Sequence, residues 1–155
     1  MSSVEFRTED FRAALNLLQS GLHNGAHQAV GAAATAAKDS ASQTTLFRDG
    51  TEARLRNSIR KEFIDAMHAR VIAGGPGIPE ARFIENGTRA HDIHAKGGGS
   101  LRFVMNGEVM YRRVVHHPGT AERPFMAEAA RVGEQTLEYG LDYLTDAAVA
   151  KFNGG

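Results

Sequence analysis

The sequence predicts an α+β fold, and two patterns indicate it. Near each end of the chain, apolar residues recur every three or four positions, which is typical of amphipathic helices. The middle of the chain holds short strand-like runs separated by glycine and proline, and the turn signal Asn106-Gly107 lies between two of them. At 155 residues we expect a single domain over residues 1–155, with enough length for a substantial core.

Composition narrows the possible classes of function. The chain has no cysteine, which excludes disulfides, thiolate metal ligands and a cysteine nucleophile. Acidic and basic residues balance at 18 each, so no net field attracts nucleic acid or a membrane. The N-terminus lacks the pattern of a signal peptide, and no apolar run approaches the ~20 residues that cross a bilayer. We expect a soluble protein with no membrane partner.

The N-terminal pattern predicts a helix within residues 1–38, with Thr8 as a candidate N-cap. Its apolar stripe begins with large side chains and fades into alanine. The stripe residues are Phe11, Leu15, Leu18, Leu22, Ala26, Ala29 and Ala33. The alanine-rich second half either packs in the core of the chain or meets a neighbouring subunit, and the pattern leaves both open. The small polar residues at 38–45 predict a linker.

Residues 59–72 have an ambiguous pattern. Ile59, Phe63, Met67 and Val71 are spaced by four, which suits one face of a helix. The same even spacing also suits one face of a strand pair. Periodicity alone therefore leaves the structure of this segment open.

Residues 50–120 as a whole predict a sheet region that contains a mobile loop. Residues 81–85 indicate a short strand, which Asn86-Gly87 ends. The loop spans residues 89–100 and includes three consecutive glycines, which hold a fixed backbone only at an entropic cost. We expect this interaction loop to order only against a partner. Its contact residues are Arg89, His91, Ile93, His94, Lys96, Gly97, Gly98 and Gly99.

The clearest local signal is a β-hairpin. The strand-like runs 101–105 and 109–115 flank Asn106-Gly107, a dipeptide that favours the tight turns of two-residue hairpins. Arg102, Arg112 and Arg113 would then lie on the surface of this hairpin.

The C-terminal pattern predicts a helix over residues 123–151, with Pro124 at a position where a helix can begin. At 1.5 Å per residue this helix would be ~40 Å long. Gly133 and Gly140 lie within it, and they either bend the helix or admit a close neighbour.

Four short motifs follow one another over residues 50–130. In order they are L-x-x-S-I, a hydrophobic-E-x-G-T segment, a K…L-x-F strand entry at Lys96, and H-P-G-T followed by P-F. The residues that carry them are Leu55, Ser58, Ile59, Glu85, Gly87, Thr88, Leu101, Phe103, His117, Pro118, Gly119, Thr120, Pro124 and Phe125. This ordered set resembles the tail-completion and head–tail neck proteins of long-tailed bacteriophages. Asn86 departs from the pattern, because the family usually has an aromatic residue there.

The resemblance implies a fold and a function. The fold would be a small antiparallel β-sheet packed by a long N-terminal and a long C-terminal helix, with residues 60–72 as a strand pair. The protein would be a structural component of the virion, assembled in the host cytoplasm as a sixfold ring. That ring would join the tail to the capsid connector and contact the adjacent neck and tail proteins. A tail terminator or another minor tail component is the alternative within the same class.

Two basic groups gain a possible role if the protein is a ring. One group is Arg102, Arg112 and Arg113, and the other is Arg54, Arg56, Arg60 and Lys61. Either group forms a solvated face or lines the lumen, where it would touch DNA phosphates without reading sequence.

Candidate catalytic chemistry is weak in this sequence. His91, His94, His116 and His117, with Asp92 nearby, invite a metal-dependent hydrolase, but they lack the H-E-x-x-H spacing on a helix. The alternative for His117 is a turn hydrogen bond beside Pro118. Glu85 has no visible acid–base partner, and there is no phosphate-binding loop or nucleophile elbow. We therefore predict no enzyme activity, no metal and no cofactor; a small nucleic-acid-binding module is a weaker option, because the charge is balanced.

Overall fold

The protein has an α+β fold, with a long helix near each end of the described chain and short antiparallel strands between them. The structure is a computed structural model and describes residues 8–43 and 50–153. The helices are α1 (Thr8–Gln43), α2 (Gly50–Ser58), α3 (Glu80–Asn86) and α4 (Phe125–Asn153). The strands are β1 (Arg60–Phe63), β2 (Ala69–Ile72), β3 (His91–His94), β4 (Leu101–Met105), β5 (Glu108–Arg112) and β6 (Val114–His117). None of the described helices is both long and apolar enough to cross a membrane.

The chain divides into two compact units. The first unit combines Met1–Ala73 with Met126–Gly155, and the second is Gly74–Phe125. Because the first unit takes residues from both ends of the chain, its two long helices can pair with each other. Compact units can belong to one folding domain, so the single domain expected from the length stays a prediction.

In the first unit, α1 and α4 pack antiparallel through small residues. A Cβ built on Gly140 would lie 2.9 Å from the Cβ of Ala29, and one built on Gly133 would lie 3.1 Å from the Cβ of Ala37. Glycine at these positions therefore lets the two helices approach closely. This contact confirms the close neighbour expected at Gly133 and Gly140. The buried alanines of α1 are Ala29, Ala33, Ala34, Ala37 and Ala41.

These contacts bear on the two possibilities for the second half of α1. Its buried alanines belong to the core of the chain, whereas a contact of the exposed side of this half with a neighbouring subunit stays a prediction. The helix also continues to Gln43, so the linker predicted at 38–45 is wrong as far as residue 43. Ser42 is accommodated within the helix, where its Oγ donates to the Lys38 carbonyl one turn back. The rest of that linker and residues 1–7 lie outside the described residues.

Residues 60–72 form an antiparallel hairpin, which confirms the strand pair. Arg60 pairs with Ile72 and Phe63 with Ala69 in the register of β1 and β2. The helical interpretation of the four-residue spacing is wrong. The spacing was ambiguous because every second residue of a strand also shares a face. The hairpin packs on α1, since Lys61 Nζ donates to Thr35 Oγ1 at 2.6 Å. Just before it, the side chains of Leu55 and Ile59 are buried.

The second unit corrects the strand predicted at 81–85. These residues form the helix α3, whose first turn is closed by the N–H groups of Arg82 and Phe83 donating to the Pro79 carbonyl. Pro79 has φ −70°, which is preorganised for a helix start. Gly87 follows the helix with φ +65°, a conformation that favours glycine, so the helix ends where the sequence predicted a stop.

The interaction loop is also more regular than predicted. Residues 91–94 form strand β3, which pairs antiparallel with β6, and Lys96–Gly98 forms one 3-10 turn. An irregular loop throughout 89–100 is therefore wrong, because residues 91–94 pair with a strand of the same chain, whereas the mobility of the segment and its ordering against a partner stay predictions. Gly97 and Gly98 have φ +62° and +72°, which is the conformation that glycine adopts at little steric cost.

The hairpin at Asn106-Gly107 is confirmed. Strands β4 and β5 pair from Leu101↔Arg112 to Met105↔Glu108. Asn106 and Gly107 have φ +53° and +84°, which is the positive pair that a type I′ turn needs. The strands of the described residues form three separate two-stranded sheets, where one small sheet was expected.

Candidate functional site

Two of the sequence motifs meet in the second unit and hold each other. Thr88 and Thr120 form an isolated antiparallel bridge, in which each backbone N–H donates to the other's carbonyl at 3.0 Å. Their hydroxyl oxygens also lie 3.0 Å apart, and the Thr120 N–H reaches Thr88 Oγ1 at 3.1 Å. We call Gly87, Thr88, Gly119 and Thr120 the threonine clamp. It brings together segments that lie 32 residues apart in sequence.

Glycine is required on both sides of the threonine clamp. Gly87 has φ +65°, and a Cβ built there would lie 2.5 Å from the Thr120 carbonyl oxygen. Gly119 has φ +89°, and a Cβ there would meet the Thr88 carbonyl oxygen. The Gly119 N–H donates to His117 Nδ1 at 3.1 Å, which confirms the turn hydrogen bond expected for His117. These motif residues therefore fix a backbone crossing.

Three of the four histidines on the β3–β6 ribbon take part in two separate side-chain contacts. The rings of His91 and His117 stack with centroids 5.1 Å apart. On neighbouring positions, His116 Nδ1 lies 2.8 Å from the Asp92 carboxylate. Because His117 Nδ1 accepts the Gly119 N–H, that nitrogen carries no proton. Hydrogen bonds within the ribbon thus engage Nδ1 of both His116 and His117.

The described residues give the metal-hydrolase alternative no geometric support. Among them, no three His, Cys, Asp or Glu side chains come close enough to hold a metal ion. An apolar groove of about 340 Å³ lies between α1, α4 and the β1–β2 hairpin. Its one titratable lining residue is His68, whose ring nitrogen is 2.7 Å from Asp65 at the exposed turn of that hairpin. The groove therefore presents no acid–base pair from its walls.

The interaction-loop residues lie along an exposed edge. All four residues of β3, from His91 to His94, are exposed even though their backbone is paired with β6. The Ala95 N–H extends this pairing by donating to the Arg113 carbonyl at 2.8 Å. The turn that follows is closed by the Gly99 N–H donating to the Lys96 carbonyl at 3.2 Å. The segment presents its side chains on a backbone that is already ordered.

The basic group of the β4–β5 hairpin is split between its two faces. In the register, Arg102 lies opposite Tyr111, whereas Arg112 lies opposite Leu101. Side chains of successive residues point to opposite faces of a strand, so Arg102 and Arg112 cannot act on one surface. Arg113 lies in the bend between β5 and β6. The prediction of a single arginine group is therefore wrong.

The two faces of this hairpin differ in exposure. Leu101, Phe103 and Met110 share one face and are half-buried. The other face carries Arg102, Val104, Val109 and Tyr111, which we call the valine–tyrosine face. Val104 is 61% exposed and Tyr111 is 58% exposed. This face has no covering partner among the described residues.

The first unit has an exposed surface that sequence reasoning missed. On the side of α4 away from α1, Glu138, Tyr139, Asp142, Tyr143 and Asp146 are all exposed, and we call them the α4 outer face. Tyr139 is 76% exposed and Tyr143 is 69% exposed. The signal was present as acidic residues at i, i+4 spacing beside two tyrosines, but a charged helix face usually indicates only solvation.

Two members of the second basic group, Arg60 and Lys61, make hydrogen bonds within the first unit. The Glu62 carboxylate accepts hydrogen bonds from Arg70 and Arg60, which hold the pKa of Glu62 below its usual 4.5. Lys61 donates to Thr35 on α1. Arg60 and Lys61 therefore make contacts that hold the β1–β2 hairpin, and a DNA-facing role for this group stays a prediction.

The first half of α1 is a further exposed apolar surface of the first unit. Phe11, Leu15, Leu17 and Leu22 are all exposed, although they are the largest residues near the N-terminal stripe. The burial thus runs opposite to side-chain size along α1, with alanines inside and large residues outside.

Comparison with known proteins gave no match to a family model, to a curated protein or to a solved structure. The family to which the four motifs point therefore stays a prediction from the residues themselves.

Proposed function

We propose that this protein is a structural virion component of the head–tail neck or tail-completion region of a long-tailed phage. It acts by assembly into a ring, and not by catalysis. The observation that carries the proposal is the threonine clamp, in which Gly87-Thr88 and Gly119-Thr120, from two of the four phage-like motifs, lie against each other. A backbone crossing that tolerates only glycine gives those residues a reason to recur in such a motif.

The distribution of apolar side chains supports a role in assembly. The buried core among the described residues consists mainly of alanine, with few large side chains. Large apolar residues are instead exposed on α1, on α4 and on the β4–β5 hairpin. Exposed apolar area of this kind is typical of surfaces that other proteins cover. Different surfaces on one subunit allow heterologous contacts, which close into rings when the rotation permits.

Two further contacts belong to this proposal. The exposed strand β3 and the turn at Gly97–Gly99 would contact adjacent rings of the neck or tail. Arg112, on the opposite hairpin face from Arg102, would touch DNA in the lumen through phosphate charge alone. Its replacement by alanine should weaken salt-dependent DNA retention by the assembled ring, and no DNA retention by wild-type rings at low salt would contradict that role.

Complementation of a phage with this gene disrupted tests the function. Wild-type protein supplied from a plasmid should restore plaques, and a variant lacking Gly97–Gly99 should fold but fail to restore them. Plaques without any copy of the protein would contradict the proposed function. Plaques with the deletion variant would contradict only the role of the turn at Gly97–Gly99.

A further inference from the structure

The valine–tyrosine face of the β4–β5 hairpin is an unpartnered surface. A two-stranded hairpin is marginally stable by itself and usually needs a packed face. One face of this hairpin is half-buried through Leu101, Phe103 and Met110, but Val104 and Tyr111 on the other face remain mostly exposed. A partner that covers these side chains would bury apolar area at ~25 cal/mol per Å².

The charges around this face are positive. Arg102 lies on the valine–tyrosine face, and Arg113 follows β5 in the bend next to it. The ion pairs among the described side chains join other residues, so neither guanidinium has an acidic partner there. A surface that fits this face should be acidic and should offer apolar or aromatic area.

The α4 outer face has the complementary character. Glu138, Asp142 and Asp146 repeat at i, i+4, a spacing at which like charges repel each other along a helix. The sequence between Arg131 and Lys151 contains no basic residue that could offset them. Tyr139 and Tyr143 lie among these carboxylates with most of their surface exposed.

We propose that the valine–tyrosine face of one copy docks on the α4 outer face of a second copy. Arg102 and Arg113 would meet the carboxylates of Asp142 and Asp146, and the apolar hairpin residues would cover the two tyrosines. Tyrosine and arginine are enriched at protein interfaces, and an arginine over a tyrosine ring adds a cation–π attraction.

The dimensions and the symmetry of this contact fit a ring. A five-residue strand is ~17 Å long, and the α4 outer face spans just over two helical turns from 138 to 146, or ~12 Å. Because the two surfaces differ, the contact is heterologous and repeats from copy to copy. The inference rests on the proposed function for its place in a ring, but the self-association that it predicts needs no phage.

Paired charge reversals test the contact in the full-length protein. The helix-reversed variant carries Asp142→Lys and Asp146→Lys, and the hairpin-reversed variant carries Arg102→Glu and Arg113→Glu. Arg112→Glu is the matched control, because it reverses a charge on the opposite face of the same hairpin. Thermal unfolding followed by circular dichroism verifies that each variant folds.

Sedimentation velocity up to several hundred micromolar protein, at low salt, gives the readout. Wild type and Arg112→Glu should form oligomers, and each reversed variant alone should associate at least about tenfold more weakly. An equimolar mixture of the two reversed variants should recover oligomers, because the hairpin of each then faces a helix of opposite charge. Only a contact between copies produces recovery by mixing.

Three results would overturn the proposal: a wild-type protein that stays monomeric, reversed variants that associate like wild type, or a mixture that does not recover. Loss of DNA binding by the hairpin-reversed variant, with self-association unchanged, would also overturn it and assign the hairpin to DNA. A different outcome combines recovery of oligomers by mixing with plaques from the gene-disrupted phage. That outcome would support the interface and contradict the proposed phage function.

Discussion

At the scale of residues, glycine and threonine at the clamp have defined physical tasks. Gly87 and Gly119 have positive φ angles and lie against carbonyl oxygens of the opposite segment. Thr88 and Thr120 then close the crossing with backbone and hydroxyl hydrogen bonds. The motif thus specifies a local backbone arrangement that holds α3 and the end of β6 in place.

Replacing Gly119 by alanine should destabilise the protein more than replacing Gly97. Both positions have positive φ, so each change costs roughly 1–2 kcal/mol of left-handed strain. Only at Gly119 does the new Cβ also meet backbone, whereas a Cβ at Gly97 meets nothing within 4 Å. Urea denaturation should show the larger loss for Gly119→Ala. Equal losses would mean that the clamp tolerates a side chain.

The hydrogen bonds of the Glu62 carboxylate predict that the stability of the protein falls in acid. Its folded pKa lies below 4.5 because Arg70 and Arg60 donate to the carboxylate. A depressed folded pKa adds stability above pH 4.5, and this stability is lost as the pH falls through the folded pKa. The unfolding midpoint of wild type should therefore exceed that of Glu62→Gln near neutral pH, and the difference should shrink in acid. A difference that stays constant with pH would contradict the role of this carboxylate.

At the scale of elements, the close pairing of α1 with α4 organises the first unit. Small residues on both helices let the backbones approach, so the pair is held by contact between many small surfaces. Gly140 faces Ala29 across this contact, whereas Gly21 lies on α1 with open space beside it.

The substitution Gly21→Ala should stabilise the protein by about 0.5–1 kcal/mol, because alanine is the better helix former. The substitution Gly140→Ala should increase the stability of the protein less, or should decrease it. The new Cβ would lie 2.9 Å from the Cβ of Ala29, so the helices would have to move apart. Chemical denaturation of the two variants compares these effects directly. An equal gain from both changes would show that α1 and α4 are not in close contact at Gly140.

Several elements could be predicted from sequence because their signals are local. Asn106-Gly107 fixes its hairpin by backbone chemistry alone, and the C-terminal helix, predicted over 123–151, is observed at Phe125–Asn153. Strand β3 was missed because its order comes from pairing with β6, more than twenty residues away along the chain. The helix α3 was read as a strand because a short apolar run fits both periods, and the Pro79 start signal decides it.

The candidate site also combines features that the sequence predicts with features that depend on long-range contacts. The motif residues at Thr88 and Thr120 were picked out from sequence, but their meeting depends on long-range folding. Arg102 and Arg112 lie on opposite faces because of the strand register, and the positions of basic residues in the sequence do not reveal that register. The α4 outer face needed the knowledge of which side of the helix faces α1.

At the scale of the whole molecule, exposed apolar surface on both units is the feature that assembly would explain. The alanine-rich core buries little area per residue, while tyrosine, valine and leucine side chains remain outside. Contacts between copies would cover these side chains and add the burial that the single chain lacks. The proposed neck ring is a setting in which such contacts would form.

Electron microscopy of particles made without this protein tests the central claim most directly. Cells infected with the gene-disrupted phage are lysed, and heads and tails are counted with wild-type infections as the control. The account predicts heads and tails that are each complete but remain unjoined, together with recovery of joined particles when the protein is supplied. Intact, joined particles in normal numbers without the protein would contradict it.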